Sequence, residues 1–236
     1  MKTPSLSIAK EGWPFILPAA AIGIFLLPFT GFGSAFFWIF TAYFIYFFRD
    51  PDRVSTADPL SIAAGADGII AAIKEVSEGD ITGLEEIRKA TGKKDLFRNG
   101  ALRVSIFLSL FDVHVNRAPI AGRITFLKYY PGKRYFTFTE KSSRYNQHNA
   151  IVINGSTDCL VHQIVGPVAR RVVAWLRLGQ TVSLGQKIGI MKFGSRMDMY
   201  FRTPDITLKI KCGDRVRAGE SIIGLLNKES DEWRGG

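Results

Sequence analysis

The chain has 236 residues, a net charge of +10 and a pI near 9.7, long enough for one buried core plus a small added element. Its Lys and Arg are scattered rather than run together with aromatics, so the positive balance points to an anionic membrane surface and away from nucleic acid. Cys159 and Cys212 lie far apart without a CxxC pairing, which argues against a disulfide framework or a metal site and for two buried thiols in a reducing compartment.

In chain order, the first elements are two uncharged segments, Trp13 to Phe29 and Phe32 to Phe48, separated by Thr30-Gly31. Each is about 17 residues, or roughly 25 Å as a helix, at the short limit for a membrane span. Lys2 and Lys10 precede the pair and Arg49 and Arg53 follow it, so both ends are expected in the cytoplasm with Thr30-Gly31 at the tip of a hairpin. Pro14, Pro18 and Pro28 weaken the first helix, which leaves a re-entrant or interfacial hairpin as the alternative. Residues 1–50 therefore read as a membrane-anchoring helical hairpin, and 51–236 as a separate β-rich domain.

Pro51 and the charges of Arg49-Asp50-Pro51-Asp52-Arg53 end the hairpin. A short helix is expected over Glu85 to Ala90, limited by Gly83 and Gly92. Leu102, Val104, Ile106 and Leu108 alternate with Arg103, Ser105, Phe107 and Ser109, the period of a strand. Further strands are expected at Ala150 to Ile153 and Val161 to Val165, with His162 structural inside the latter.

The later sequence contains a repeat. Residues 179–188 and 213–222 both read G-[QD]-x-V-x-x-G-[QE]-x-I, a glycine-bounded turn between strands with Val and Ile packed inward. Ala66 to Ile70 and Ala118 to Ile124 share a related pattern. These turns resemble the barrel-sandwich hybrid of lipoyl and biotinyl carrier domains, so the fold class expected is mainly β (α+β), a barrel-sandwich-hybrid-like domain behind the helical hairpin.

Between the repeat copies lies Phe193-Gly194-Ser195-Arg196, and after the clearest strand comes Phe111-Asp112-Val113-His114-Val115-Asn116-Arg117-Ala118-Pro119. With FFRDP at 47–51, ADG at 66–68 and GPVARR at 166–171, these blocks resemble in order the short form of phosphatidylserine decarboxylase over nearly the whole chain. The resemblance implies a proenzyme that cuts itself between Gly194 and Ser195, giving a heterodimer of chains 1–194 and 195–236. Ser195 would become the covalent pyruvoyl cofactor, whose ketone condenses with the serine amine of the lipid and takes the electrons released with CO₂. Intramolecular attack by Ser195 Oγ on the Gly194 carbonyl is helped by proximity, and glycine permits the backbone it needs. His114 is the candidate base, with Asp67 orienting or charge-stabilising it. Arg117, Arg196 and His148 are candidates for the anionic headgroup, each with a plain alternative: solvated charges for the arginines, a loop residue for His148. The implied product is phosphatidylethanolamine, and the implied location a bacterial inner membrane with the catalytic domain facing the cytoplasm.

This chain departs from the long form, which has a second histidine where Arg117 stands and Leu-Gly-Ser-Thr at the cut. The rival readings are a carrier domain modified at Lys192 and a membrane-fusion adaptor. Residues 193–195 do not look like a carrier motif, and no coiled-coil heptads are found for the adaptor.

Overall fold

The computed structural model describes residues 7–55, 59–133, 135–167, 172–192 and 194–227. Lys2, Phe193 and residues 168–171 of the GPVARR block lie outside them. The apolar N-terminal segments form α1 (Trp13–Leu26) and α2 (Gly31–Phe47), packed against each other. At 14 and 17 residues they reach about 21 and 26 Å. Among the described residues no helix is long and apolar enough to cross a membrane. The first helix stops at Leu26, short of Phe29: Leu27 keeps helical dihedrals, but Pro28 has no N–H with which to continue the ladder. The pair nevertheless leaves Phe25, Phe29, Phe32, Phe36 and Ile39 exposed. Its neck is closed by Ala9 N–H to Phe48 C=O (2.9 Å) and Asp50 N–H to Ser7 C=O (2.8 Å). Phe47 and Phe48 are buried with Val113, Val115 and Ile190, so the base of the hairpin is packed into the β domain.

The β domain consists of two related units, one inserted into the other. The outer unit opens with β1 (Ser61–Ala63), β2 (Gly68–Val76), the helix α3 (Leu84–Thr91) and β3 (Ala101–Leu108). The inner unit follows whole: β4 (Val115–Arg117), β5 (Gly122–Tyr130), the helix α4 (Glu140–Tyr145), β6 (His148–Asn154), β7 (Asp158–Val165), β8 (Val172–Ala174), β9 (Thr181–Val182) and β10 (Lys187–Met191). The outer unit then resumes with β11 (Ser195–Phe201), β12 (Ile206–Leu208), β13 (Arg215–Val216) and β14 (Ile222–Leu226). The largest sheet runs β13-β2-β3-β11-β7-β6-β5-β9, a palindrome when β11 is matched to β7 and each outer strand to its inner counterpart. The two small sheets, β1-β14-β12 and β4-β10-β8, repeat the correspondence.

The sequence repeat lies at the symmetric turns. Gly179 and Gly213 have φ of +82° and +94°, and Gly185 and Gly219 both have +74°, backbone that favours glycine. The Gly185 and Gly219 turns meet: a Cβ on Gly219 would lie 3.2 Å from Gly185 Cα. The mainly β fold with an N-terminal helix pair is as expected, and α3 lies where a short helix was expected.

One expectation changes. Cys159 is buried but Cys212 is exposed, because it sits in the turn before β13 rather than in a strand. Arg103 and Ser105 of β3 are buried in a second, polar layer with Arg196 and Asp198, at whose edge the exposed Glu140 accepts from Arg103.

Candidate functional site

The Gly194–Ser195 bond joins the inner unit to the resumed outer one, between β10 and β11. Those strands belong to different sheets, so Lys192 is not presented on a β10–β11 hairpin as a carrier domain would present it. The Lys192 ammonium instead lies 5.3 Å from the centre of the Phe15 ring and 5.9 Å from that of Phe48, at the base of the helix pair.

Ser195 begins β11, paired with Leu108 of β3 and Val165 of β7. Alternation along the strand puts it on the face of Met197, Met199 and Phe201, which lie in the main core, and puts Arg196, Asp198 and Tyr200 on the other. Ser195 is fully buried and its Oγ has no hydrogen-bond partner among the described residues. Gly194 adopts φ +67°, with no described residue within 4 Å of the position of a Cβ. Its carbonyl accepts the Gly166 N–H at 3.2 Å. That amide points at the oxygen on which charge would build during attack by Ser195, the geometry of an oxyanion donor.

His114 is fully buried at the entry to β4, with its ring 4.1 Å from that of Phe47. Nδ1 lies 2.9 Å from the Asp112 carbonyl. A carbonyl only accepts, so Nδ1 carries the proton and Nε2 holds the lone pair. Nε2 is buried and has no hydrogen-bond partner among the described residues. Burial pushes the imidazole pKa down to about 4 against the smaller upward pull of Asp112, so the ring is neutral at pH 7. Asp112 is itself fixed by Ser109 N–H (2.8 Å), Ser109 Oγ (2.7 Å) and Arg215 Nη2 (2.9 Å). The backbone links the two halves of the site: Met191 N–H donates to His114 C=O at 3.1 Å, four positions before Ser195.

The other predicted residues are engaged elsewhere. Asp67 binds Arg53 through both carboxylate oxygens and accepts Ala218 N–H at 2.8 Å, so the hydrogen bond that orients His114 comes from Asp112 and not from Asp67. The Asp67 charge still reaches the imidazole and favours its protonation, as a minor contribution. Arg117 is buried, donating to Gly185 C=O and Pro51 C=O at 2.8 Å each, where it braces the paired repeat turns. Arg196 is buried on the face opposite Ser195, donating to Asp198 (2.7 Å) and Ser105 Oγ (2.7 Å). Neither arginine is a solvated surface charge. His148 is the first residue of β6 and not a loop residue; it is buried on the polar layer, its ring 5.1 Å from Tyr130 and 4.5 Å from His162. His162 is buried in β7, as expected.

Sequence reasoning missed Gly166 and Asp112 as contributors because both act through the backbone, which leaves no side-chain signature. Both stood in quoted blocks, and a glycine opening one of them was the available signal for the first.

A buried serine hydroxyl follows directly on a glycine carbonyl, and a buried neutral imidazole stands at the entry to the strand paired with β10, side chains of the kind that catalysis draws on. The comparisons agree with an enzyme. The family model described as Phosphatidylserine decarboxylase matches residues 40–224. A protein of Desulfotalea psychrophila named Phosphatidylserine decarboxylase proenzyme is 38% identical over 235 residues, covering 96% of this chain and 100% of its own length. Proteins of the same name from Burkholderia multivorans and Burkholderia vietnamiensis are 35% and 36% identical over 232 residues, covering 97% of this chain and all of theirs. The chain belongs to the phosphatidylserine decarboxylase family, and it is a decarboxylase.

Proposed function

We propose that this decarboxylase is a self-processing, pyruvoyl-dependent enzyme that converts phosphatidylserine to phosphatidylethanolamine and CO₂ at an anionic membrane surface. The observation that carries the reading is the Gly194–Ser195 geometry: a positive-φ glycine with its carbonyl on the Gly166 N–H, next to a buried and unpartnered hydroxyl.

In this reading Ser195 Oγ attacks the Gly194 carbonyl carbon, and the Gly166 N–H holds the oxygen as it gains charge. The C–N bond breaks and an ester to Oγ replaces the amide, the freed amine taking a proton. His114 Nε2 is the base for Oγ and then for the Ser195 Cα–H. Loss of that proton expels the Gly194 carboxylate and leaves a dehydroalanine, which takes up water and releases ammonia. Chains 1–194 and 195–236 result, the second blocked by a pyruvoyl group.

The residues around position 195 fit such a group: the start of β11 is enclosed between β3 and β7, and the only polar side-chain atom of Ser195 is uncommitted. When formed, the pyruvoyl supplies a ketone that engages the substrate amine and accepts the electrons released with CO₂. His114 Nε2 would take a proton from the incoming substrate ammonium and is the group to return it to the substrate carbon. Asp67 is assigned a charge effect and a structural role through Arg53. For the lipid phosphate we assign Lys192, at the helix base, ahead of Arg117, Arg196 and His148, which are turned inward.

The exposed Phe and Ile of the hairpin favour burial at a lipid interface, in keeping with a bacterial inner membrane and a catalytic domain on its cytoplasmic side. The test is replacement of Ser195 by Ala, which should leave the chain whole and without CO₂ release; a variant still cut after Gly194 would remove Ser195 from the mechanism.

A further inference from the structure

The end of the large sheet that carries the Gly194–Ser195 bond also carries apolar side chains that the chemistry does not use. Register fixes what lies there. Ser195 is paired with Leu108 and Val165, the last residues of β3 and β7, and His148, the first of β6, is paired with Ile164. Residues 109–114, 131–133, 135–147, 192 and 194 therefore share one end. The base of the helix pair joins them, since the Phe111 carbonyl accepts Tyr46 OH at 3.1 Å and Arg49 Nη2 at 2.8 Å.

Within the 131–147 connection, Phe136 is 60% and Phe138 70% exposed, while Thr137 between them is 4% exposed. The two rings stack at 5.4 Å with 18° between their planes. The backbone beneath is clamped. The Asn146 side chain accepts Tyr135 N–H (2.8 Å) and donates to Tyr135 C=O (2.6 Å) and Val165 C=O (3.1 Å). Ser142 Oγ donates to Thr137 C=O at 3.2 Å, and Thr139 N–H to Phe136 C=O at 3.1 Å. The Thr137 methyl lies 3.3 Å from where a Cβ on Gly166 would stand, so the knuckle rests beside the Gly166–Gly194 contact. Two phenylalanines are thus held outward by a braced loop instead of folding onto the core.

Cations stand in the same connection. The Lys133 ammonium lies 5.9 and 5.8 Å from the Tyr135 and Tyr145 ring centres, the Arg144 guanidinium lies 5.7 Å from that of Tyr145 and pairs with Asp80 at 3.5 Å, and Lys141 is exposed. Apolar tips carried in one connection with long-stemmed cations and tyrosines match the depth profile of an anionic bilayer, with rings below the headgroups and charges among them. A net charge of +10 and the apolar helix pair at the same end favour lipid over a protein partner.

We propose that the Phe136–Phe138 knuckle inserts into an anionic bilayer surface, a second attachment that, with the helix pair, holds the cleavage-site end of the sheet against the membrane. This rests on the reading that the protein works at a bilayer. The test uses the full chain as C212S/F138C, labelled with the fluorophore NBD; Cys159 is buried and stays unlabelled. Vesicles contain phosphatidylglycerol and phosphatidylcholine, with no serine lipid to occupy the active site. The expected result is a blue shift on vesicle binding and quenching by acyl-chain-brominated lipid, absent for a K94C label at the far end of the sheet. F136C in the same C212S background repeats the measurement should F138C misfold. Protein that sediments with the vesicles while the labels at 136 and 138 keep their aqueous emission overturns the knuckle but not the membrane reading. Protein that does not sediment at all overturns both.

Discussion

Replacing Gly166 by Ala tests the oxyanion donor without touching any side chain of the site. The backbone N–H is kept, but the new Cβ would stand 3.0 Å from the Gly194 carbonyl oxygen and 3.3 Å from the Thr137 methyl. The carbonyl must give way by a few tenths of an ångström, and its hydrogen bond already measures 3.2 Å, so the contact is lost. Losing one oxyanion donor costs on the order of 10²–10³ in rate. Here the bond exists before attack, so only its strengthening in the transition state counts. A slowing of roughly 10- to 100-fold, or about 1.4–2.7 kcal/mol, is expected. The assay is a time course of precursor splitting, followed by intact mass after synthesis of the uncut chain, with circular dichroism as the check on folding. A folded variant that splits within about twofold of the parent rate would refute the donor role of Gly166.

Three further outcomes follow from the same geometry. Because burial lowers the His114 pKa to about 4, splitting should stay fast down to about pH 5 and fall with an apparent pKa near 4; a fall centred at the ordinary 6.5 would contradict a buried neutral base. His114, His148 and His162 all have pKa values pushed down by burial, so the folded state binds fewer protons than the unfolded one below pH 6.5. Stability should then decline as pH falls from 6.5, by up to about 1.4 kcal/mol per pH unit for each group, and denaturant midpoints across that range check it. Asp67→Asn leaves the buried Arg53 without its ion pair and should cost about 3 kcal/mol, visible in thermal unfolding, while the midpoint of the pH profile of splitting moves down only slightly. A shifted midpoint with unchanged stability would restore Asp67 as the partner of His114.

How much of this was legible in the sequence depends on where the signal resides. The repeat was readable because each copy needs glycine at positive-φ turn positions, a local demand that residue type reports directly. The palindromic sheet was not, because β11–β14 complete a unit begun by β1–β3 across the whole inner unit, and pairing over that separation has no local signature. His114 and Gly194-Ser195 stood out as side-chain chemistry and as blocks resembling a family. The arginines misled: Arg117 and Arg196 adjoin the site in sequence, yet one reaches the repeat turns and strand alternation sends the other to the opposite face of β11. The hairpin was visible as apolar sequence, but its helix lengths were set by Pro28, which shortened the first.

The central claim is that this chain cuts itself and keeps the product of Ser195 as its reactive group. Intact-mass analysis of purified protein, before and after borohydride reduction, tests it most directly. The account predicts two chains, 1–194 and 195–236, the second starting with a blocked residue that gains two hydrogens on reduction. A single uncut chain, or a 195–236 fragment with a free serine amine at its start, would contradict it.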